Sequence, residues 1–210
     1  EAKAAGVALL HYSTDYVFNG AAEHPYSETD SPEPLNAYGR SKLAGEAATT
    51  DILGTQHPWW ILRSSWVYGQ HGGNFLKTML KLAQTRDALN VVADQIGAPT
   101  SAALIAEISA QLLRTRPASG IYHVAAAGET SWYGYARYAI AHARARGLPM
   151  HLADDALRPI TSAEYPTPAR RPGNSRLDCT KLERALSIRL PEWQQAVDGT
   201  VDELLEKGAL

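Results

Sequence analysis

The chain has 210 residues, a length that suits one domain or one domain with a small lobe. Its 45% hydrophobic and 20% charged content, with a net charge of −2, excludes dominant disorder and leaves no basic face for nucleic acid or an anionic membrane. The single cysteine, Cys179, excludes an internal disulfide or a cysteine-built metal cage and fits a reducing, cytoplasmic setting, and no run of about 18 apolar residues is present to span a membrane.

Glu1 to Gly6 reads as the last turn of a helix stopped by a C-cap glycine. Val7 to Ser13 is a continuous run that suits a strand buried on both faces, as inside a parallel sheet. Such a strand needs neighbours, and little sequence precedes it. The chain is therefore expected to be the C-terminal piece of a longer protein. A polar loop follows from Thr14 to Leu35, with prolines at 25, 32 and 34. The next helix is predicted over 37–53 with Asn36 as its N-cap. Trp59 to Ser64 is a second buried strand, and Gly69 to Gly73 a surface turn.

Further along, a helix is predicted from Asn74 to about Arg86 and a short strand from Leu89 to Ala93. Thr100 is placed as the cap of a helix running from Ser101 to Thr115. Ile121 to Ala125 makes another strand, and Ser131 to Arg146 another helix, opening with the aromatic cluster Trp132, Tyr133, Tyr135 and Tyr138, which is read as core. Pro159 to Pro172 reads as irregular. Two helical stretches, 179–188 and 191–207, close the chain, with Pro191 in a first turn. Strands alternating with helices indicate an α/β class with a parallel sheet.

The chemistry-bearing residues are Ser13-Thr14-Asp15 at the end of the first strand and Tyr38-Gly39-Arg40-Ser41-Lys42 on the first long helix. Tyr38 and Lys42 are spaced i, i+4 and share a helical face. Ligands of open α/β sheets bind beyond the carboxyl ends of the strands, where Thr14 stands. A neighbouring ammonium favours the ionised form of a phenol, so such a pair suits proton exchange. The Thr14 hydroxyl can polarise a carbonyl. Together the three groups suit protonation of a ketone oxygen while a hydride reaches its carbon, chemistry that requires no metal. An exposed tyrosine–lysine pair on a solvated helix is the plain alternative.

Several longer runs carry a resemblance. They are His11 to Gly20, Pro34 to Glu46, Arg63 to Tyr68, Asn74 to Leu80, Asp94 to Thr100 and Tyr165 to Asp178. Over nearly its whole length the chain resembles the dTDP-4-dehydrorhamnose reductase family of the extended short-chain dehydrogenase/reductase group. The resemblance implies that Tyr38 is the proton donor, that Lys42 partners it and touches the nicotinamide ribose, and that Thr14 stabilises the developing alkoxide. Tyr12 would lie against the cofactor. Thr14, Asp15 and Trp66 would contact the dTDP-sugar. The implied reaction uses NADPH or NADH and serves surface polysaccharide, including O-antigen, synthesis. Residues 1–66 and 99–126 would be the remnant of a Rossmann-like NAD(P)-binding domain, and 67–98 with 127–210 a smaller substrate-binding lobe.

The sequence also departs from that family. It has no G-x-G-x-x-G run to cradle a pyrophosphate, so this polypeptide alone is expected to bind dinucleotide poorly. Some family members are Mg2+-linked homodimers, but Ala103 stands where one interface glutamate would align. Arg170 and Arg171 can grip a diphosphate or stand as a solvated pair. The scattered histidines read as structural or solvent-facing, and no G-x-S-x-G run supports a hydrolase. A sugar-nucleotide epimerase or dehydratase of the same group, and a non-catalytic reductase-like subunit, stay open as alternatives.

Overall fold

A computed structural model describes residues 1–210. In chain order its first elements are α1 (Ala2–Ala5), β1 (Leu9–Thr14), α2 (Ala37–Leu53), β2 (Trp59–Ser64), β3 (Val67–Tyr68), α3 (Phe75–Ala83), β4 (Leu89–Val92) and β5 (Ile96–Gly97). They continue with β6 (Thr100–Ser101), α4 (Ala102–Thr115), β7 (Gly120–Val124), β8 (Thr130–Ser131), α5 (Trp132–Ala145), β9 (Leu157–Ile160), α6 (Thr180–Leu186) and α7 (Trp193–Glu206). No helix is long and apolar enough to cross a membrane. The chain divides into two units, the first made of Glu1–Ser65, Ala103–Ala125 and Pro168–Leu190 and the second of the remaining segments.

The first unit is built on a parallel sheet in the order β1-β2-β7, with Leu9 beside Trp59 and Ile61 beside Ile121. β2 lies in the middle and is buried from Trp60 to Ser64. Successive side chains of β1 point to opposite faces. Ser13 reaches Glu46 of α2, and the Tyr12 hydroxyl lies 2.9 Å from Ser109 Oγ of α4. The two long helices therefore cover opposite faces of the sheet, the α/β arrangement anticipated. Within these 210 residues only β2 pairs with β1, and Tyr12 is 48% exposed.

The loop after β1 is more than polar. Val17 and Phe18 are fully buried, and with Tyr26 they form a cluster onto which Leu43 of α2 and Leu177 pack. Phe18 and Tyr26 stack at 4.2 Å. The segment from Pro168 to Leu190, expected in the other lobe, belongs here instead. Its backbone ties to this loop: Tyr26 N–H donates to the Arg176 carbonyl (2.9 Å), Asp178 N–H to the Tyr26 carbonyl (2.7 Å) and Asn174 N–H to the Gly20 carbonyl (3.1 Å). Gly20, at φ 72°, permits that approach, since a Cβ there would meet Pro172 at 2.5 Å.

The second unit packs α5 between α3 and α7, burying Leu76 and Leu80, Tyr135 and Ala139, and Val197 and Val201. Its strands are short pairs: β3 with β6, β4 with β9 and β5 with β8. Three expectations change here. Pro159 sits in β9, not in irregular chain; β9 pairs on one side only, where a missing N–H is tolerated. Thr100 does not cap α4; its Oγ1 donates to the Ala98 carbonyl and accepts from Ala126 N–H. Pro191 precedes the helix, because its carbonyl accepts from Ala127 N–H and Trp193 N–H returns to the Ala127 carbonyl, so α7 starts only at Trp193. His142 lies between Asp198 (3.2 Å) and Asp202 (2.9 Å) and ties α5 to α7.

Candidate active site

Asn36 starts α2 by accepting the Gly39 N–H at 2.9 Å, one turn before Tyr38 and Lys42 become a helical face. Gly39 then sets how closely the helix approaches the loop. A Cβ at that position would come 2.1 Å from the Tyr16 carbonyl oxygen and 2.9 Å from Pro34, so only glycine fits. The approach places the Tyr38 ring edge-on to Tyr16, with centroids 5.8 Å apart. Tyr38 remains 54% exposed. One turn on, Lys42 Nζ donates to the Tyr12 carbonyl.

Thr14 is buried at the end of β1. Its Oγ1 accepts from Tyr16 N–H at 3.2 Å, capping the 3-10 turn Asp15–Val17, and donates to Asp15 Oδ1 at 3.1 Å. The Asp15 carboxyl is 4% exposed, and burial pushes its pKa up to about 6 against the opposing hydrogen bonds of Ser175 and Thr14. Burial likewise raises the Tyr16 phenol, with the Asp15 charge adding to it, while Arg171 opposes the rise by hydrogen-bonding Tyr16. Arg171 thus has a protein partner at this site. The Arg170 carbonyl accepts from Asn36 Nδ2 at 3.0 Å.

Tyr12, Thr14, Asp15, Tyr38 and Lys42 are therefore linked through contacts within the first unit. Trp66 belongs to the second unit, where it stacks on Trp132 with centroids 3.7 Å apart. Of the aromatic cluster expected to be core, Tyr135 is buried, whereas Trp132 is only partly so.

The largest omission of the sequence reading is a buried polar triad behind the site. Arg63 of β2 donates to Glu46 through Nη2 (2.6 Å) and Nε (2.9 Å), and Ser13 Oγ donates to the same carboxylate. Both charged side chains are about 2% exposed. Glu46 lies four residues past Lys42, so the i, i+4 spacing that singled out Tyr38 and Lys42 extends to it and was the available signal. Beside Arg63, His123 is wholly buried, with Nδ1 3.0 Å from the Tyr26 carbonyl. Burial, and then the Arg63 charge, push its pKa down to about 3.

The donor set bears on a nicotinamide coenzyme in one respect. An ammonium carries three N–H donors, and the Tyr12 carbonyl takes one, so Lys42 retains donors for sugar hydroxyls beside the Tyr38 phenol. This fits the nicotinamide–ribose end. Nothing in the chain supplies a glycine-rich pyrophosphate cradle. For an interface Mg2+, Ala103 stands where the resemblance places a glutamate, and within one copy no three His, Cys, Asp or Glu side chains gather.

The chain matches the RmlD substrate-binding domain family over residues 1–206. It is 47% identical over 210 residues to a dTDP-4-dehydrorhamnose reductase of Sinorhizobium fredii, spanning 97% of this chain and 68% of that protein. To the enzyme of that name from Escherichia coli it is 44% identical, over 98% of this chain and 68% of that one. The crystal structure of a Bacillus anthracis dTDP-4-dehydrorhamnose reductase in complex with NADP superposes with a TM-score of 0.87 at 33% identity, covering 96% of this chain and 68% of that one.

Proposed function

Because the chain belongs to the dTDP-4-dehydrorhamnose reductase family, we propose that it reduces the ring ketone of dTDP-4-dehydro-L-rhamnose to the alcohol of dTDP-L-rhamnose. NADPH or NADH, when bound, supplies the hydride that adds to the ketone carbon. The rest of the step is a proton delivered to the ketone oxygen, and this falls to Tyr38. Lys42, one turn along the same face, holds a positive charge beside the phenolate left behind and donates to the coenzyme ribose. Tyr12 lies against the coenzyme. Thr14 donates to the developing alkoxide, and Asp15 and Trp66 engage the sugar nucleotide. The reaction runs in the cytoplasm and feeds dTDP-rhamnose into surface polysaccharide.

Asp15 sets the direction of the Thr14 hydrogen bond. Ionised, it accepts the hydrogen bond of the Thr14 hydroxyl, the 3.1 Å contact. Protonated, it becomes a donor itself and leaves the Thr14 hydrogen for the substrate oxygen. The observation that carries the reading is the docking of α2 on the end of β1, with Gly39 against the Tyr16 carbonyl and Lys42 on the Tyr12 carbonyl. Because this polypeptide alone is expected to bind dinucleotide poorly, the test is NADPH consumption with the 4-keto sugar by the full-length protein, paired with a product assay. Stoichiometric formation of dTDP-L-rhamnose, abolished in Tyr38→Phe, is expected. Redox-neutral conversion of the sugar would make the protein an epimerase or dehydratase, and unchanged turnover in Tyr38→Phe would remove the phenol from the mechanism.

A further inference from the structure

The run Asp94-Gln95-Ile96-Gly97 has no part in the chemistry above, and Trp66 has an unusual backbone. Trp66 adopts φ 49°, the left-handed region that a bulky side chain enters only against a steric penalty. Such outliers persist where the surroundings over-determine them, and they gather at ligand-binding positions. That run frames the surroundings here, through Trp132 and through Gly97. The Trp66 ring stacks on Trp132 at 3.7 Å and an interplanar angle of 15°. Gly97 leaves room for the same ring, because a Cβ there would stand 2.7 Å from it. Trp132 is in turn fixed by its Nε1, which donates to Gln95 Oε1 at 3.1 Å. Gln95 Nε2 donates to Ser162 Oγ at 2.9 Å, and Asp94 accepts from Ser162 N–H (2.9 Å) and Oγ (2.7 Å). Ile96 pairs with Ser131, the residue immediately before Trp132, and Thr100 N–H holds the Trp66 carbonyl at 3.2 Å.

We propose that Gln95, Gly97 and Trp132 are positioning residues that hold Trp66 in its strained conformation as a preformed aromatic face for the dTDP-sugar. The packing explains why glutamine and glycine stand two residues apart: one fixes the ring beneath Trp66, and the other makes space for Trp66 itself. A simple core role would place Trp66 in relaxed backbone and bury it fully. Instead its backbone is strained, and its ring is stacked and only partly buried. Preorganisation of this kind lowers the ordering cost of binding, so its loss appears in affinity.

The inference rests on the substrate reading above, and its test separates the two. Binding of dTDP-L-rhamnose to the 210-residue protein is followed by tryptophan fluorescence or calorimetry. The exciton couplet of the stacked indoles is recorded by circular dichroism, and thermal unfolding is measured in parallel. Gln95→Leu is expected to weaken binding about fivefold to tenfold, as expected for a lost aromatic arrangement, and to diminish the couplet with little change in melting temperature. Gly97→Ala is expected to do both more severely. Should Gly97→Ala fail to fold, Gln95→Leu, which adds no steric conflict, decides alone. Wild-type binding with Gln95→Leu within twofold of it overturns the positioning role and leaves the substrate reading standing. A wild-type protein that does not bind dTDP-L-rhamnose overturns the substrate reading, and this inference with it.

Discussion

Glu46→Gln tests whether a buried charge pair holds the candidate site together. The substitution keeps the side chain's shape and removes its charge. Arg63, about 2% exposed, is left without a counter-ion, and its Nη1 already has no hydrogen-bond partner. Removing one member of a buried ion pair costs about 3–5 kcal/mol, mostly the desolvation penalty of the orphaned charge. A domain with a total stability of about 5–15 kcal/mol would lose a large share of it. Ser13→Ala removes one hydrogen bond to the same carboxylate and leaves the ion pair, so its cost is smaller, about 1.5–3 kcal/mol. Glu46→Gln combined with Arg63→Met removes the orphaned charge and recovers much of the loss. Urea unfolding followed by circular dichroism measures all three, with Tyr38→Phe as an exposed control on the same helix. If the two units unfold in separate transitions, the loss falls on one of them only. A Glu46→Gln cost below about 1 kcal/mol, or a double variant no more stable than the single, refutes the argument.

Three further predictions concern the same unit. Gly39→Ala sets a methyl 2.1 Å from a backbone carbonyl that cannot turn aside, so it destabilises by more than about 2 kcal/mol and lowers turnover by displacing Tyr38; a melting temperature equal to wild type would contradict the close approach. His123, neutral in the native state down to about pH 3, takes a proton near pH 6.5 when unfolded, so stability is lost as pH falls from about 6.5 toward 3, on the order of 5 kcal/mol in full. His123→Gln flattens the urea midpoint across that window, and an unchanged slope would exclude His123 as its source. Asp15 has the opposite sign: its raised pKa means that the stability associated with its proton is complete below about pH 4 and lost as pH rises through about 6. Asp15→Asn is therefore more stable than wild type at pH 7 by up to about 3 kcal/mol and equal to it at pH 4, as parallel urea titrations at the two values would read.

Helix starts were legible where the signal is local. Asn36, Asn74 and Ser131 each accept the backbone N–H three residues on, a bond set by neighbours in sequence. β2 was legible because a central strand is apolar on both sides. β1 carries a run of the same kind, and within these 210 residues only β2 lies beside it. Pro159 hid β9, since a proline in a strand is tolerated only when one side is unpaired, and pairing is not visible in sequence. The loop after β1 reads as polar from its prolines and charges, while Val17 and Phe18 within it are core. The i, i+4 spacing reaches Glu46, but only the fold shows that it meets Arg63. The stacking of Trp66 on Trp132 joins residues far apart in the chain, and composition carries no trace of it.

The part of the site that the sequence did disclose is held by contacts that hydrophobicity does not select. α2 buries Gly39, Glu46, Thr49 and Leu53, a face with one large apolar group. Burial of apolar area alone would leave such a helix free to slide or turn against the sheet. Three contacts remove that freedom. Gly39 fits under the Tyr16 carbonyl, Lys42 grips the Tyr12 carbonyl, and Glu46 receives the Ser13 hydroxyl. The first two fall two residues to either side of Thr14, and the third falls next to it. Rotation of α2 about its axis would break all three, and so would translation by one residue. The Y-G-x-x-K-x-x-x-E spacing therefore does two things at once. It presents the phenol and the ammonium on one face, and it fixes that face around the one hydroxyl with which they are proposed to act.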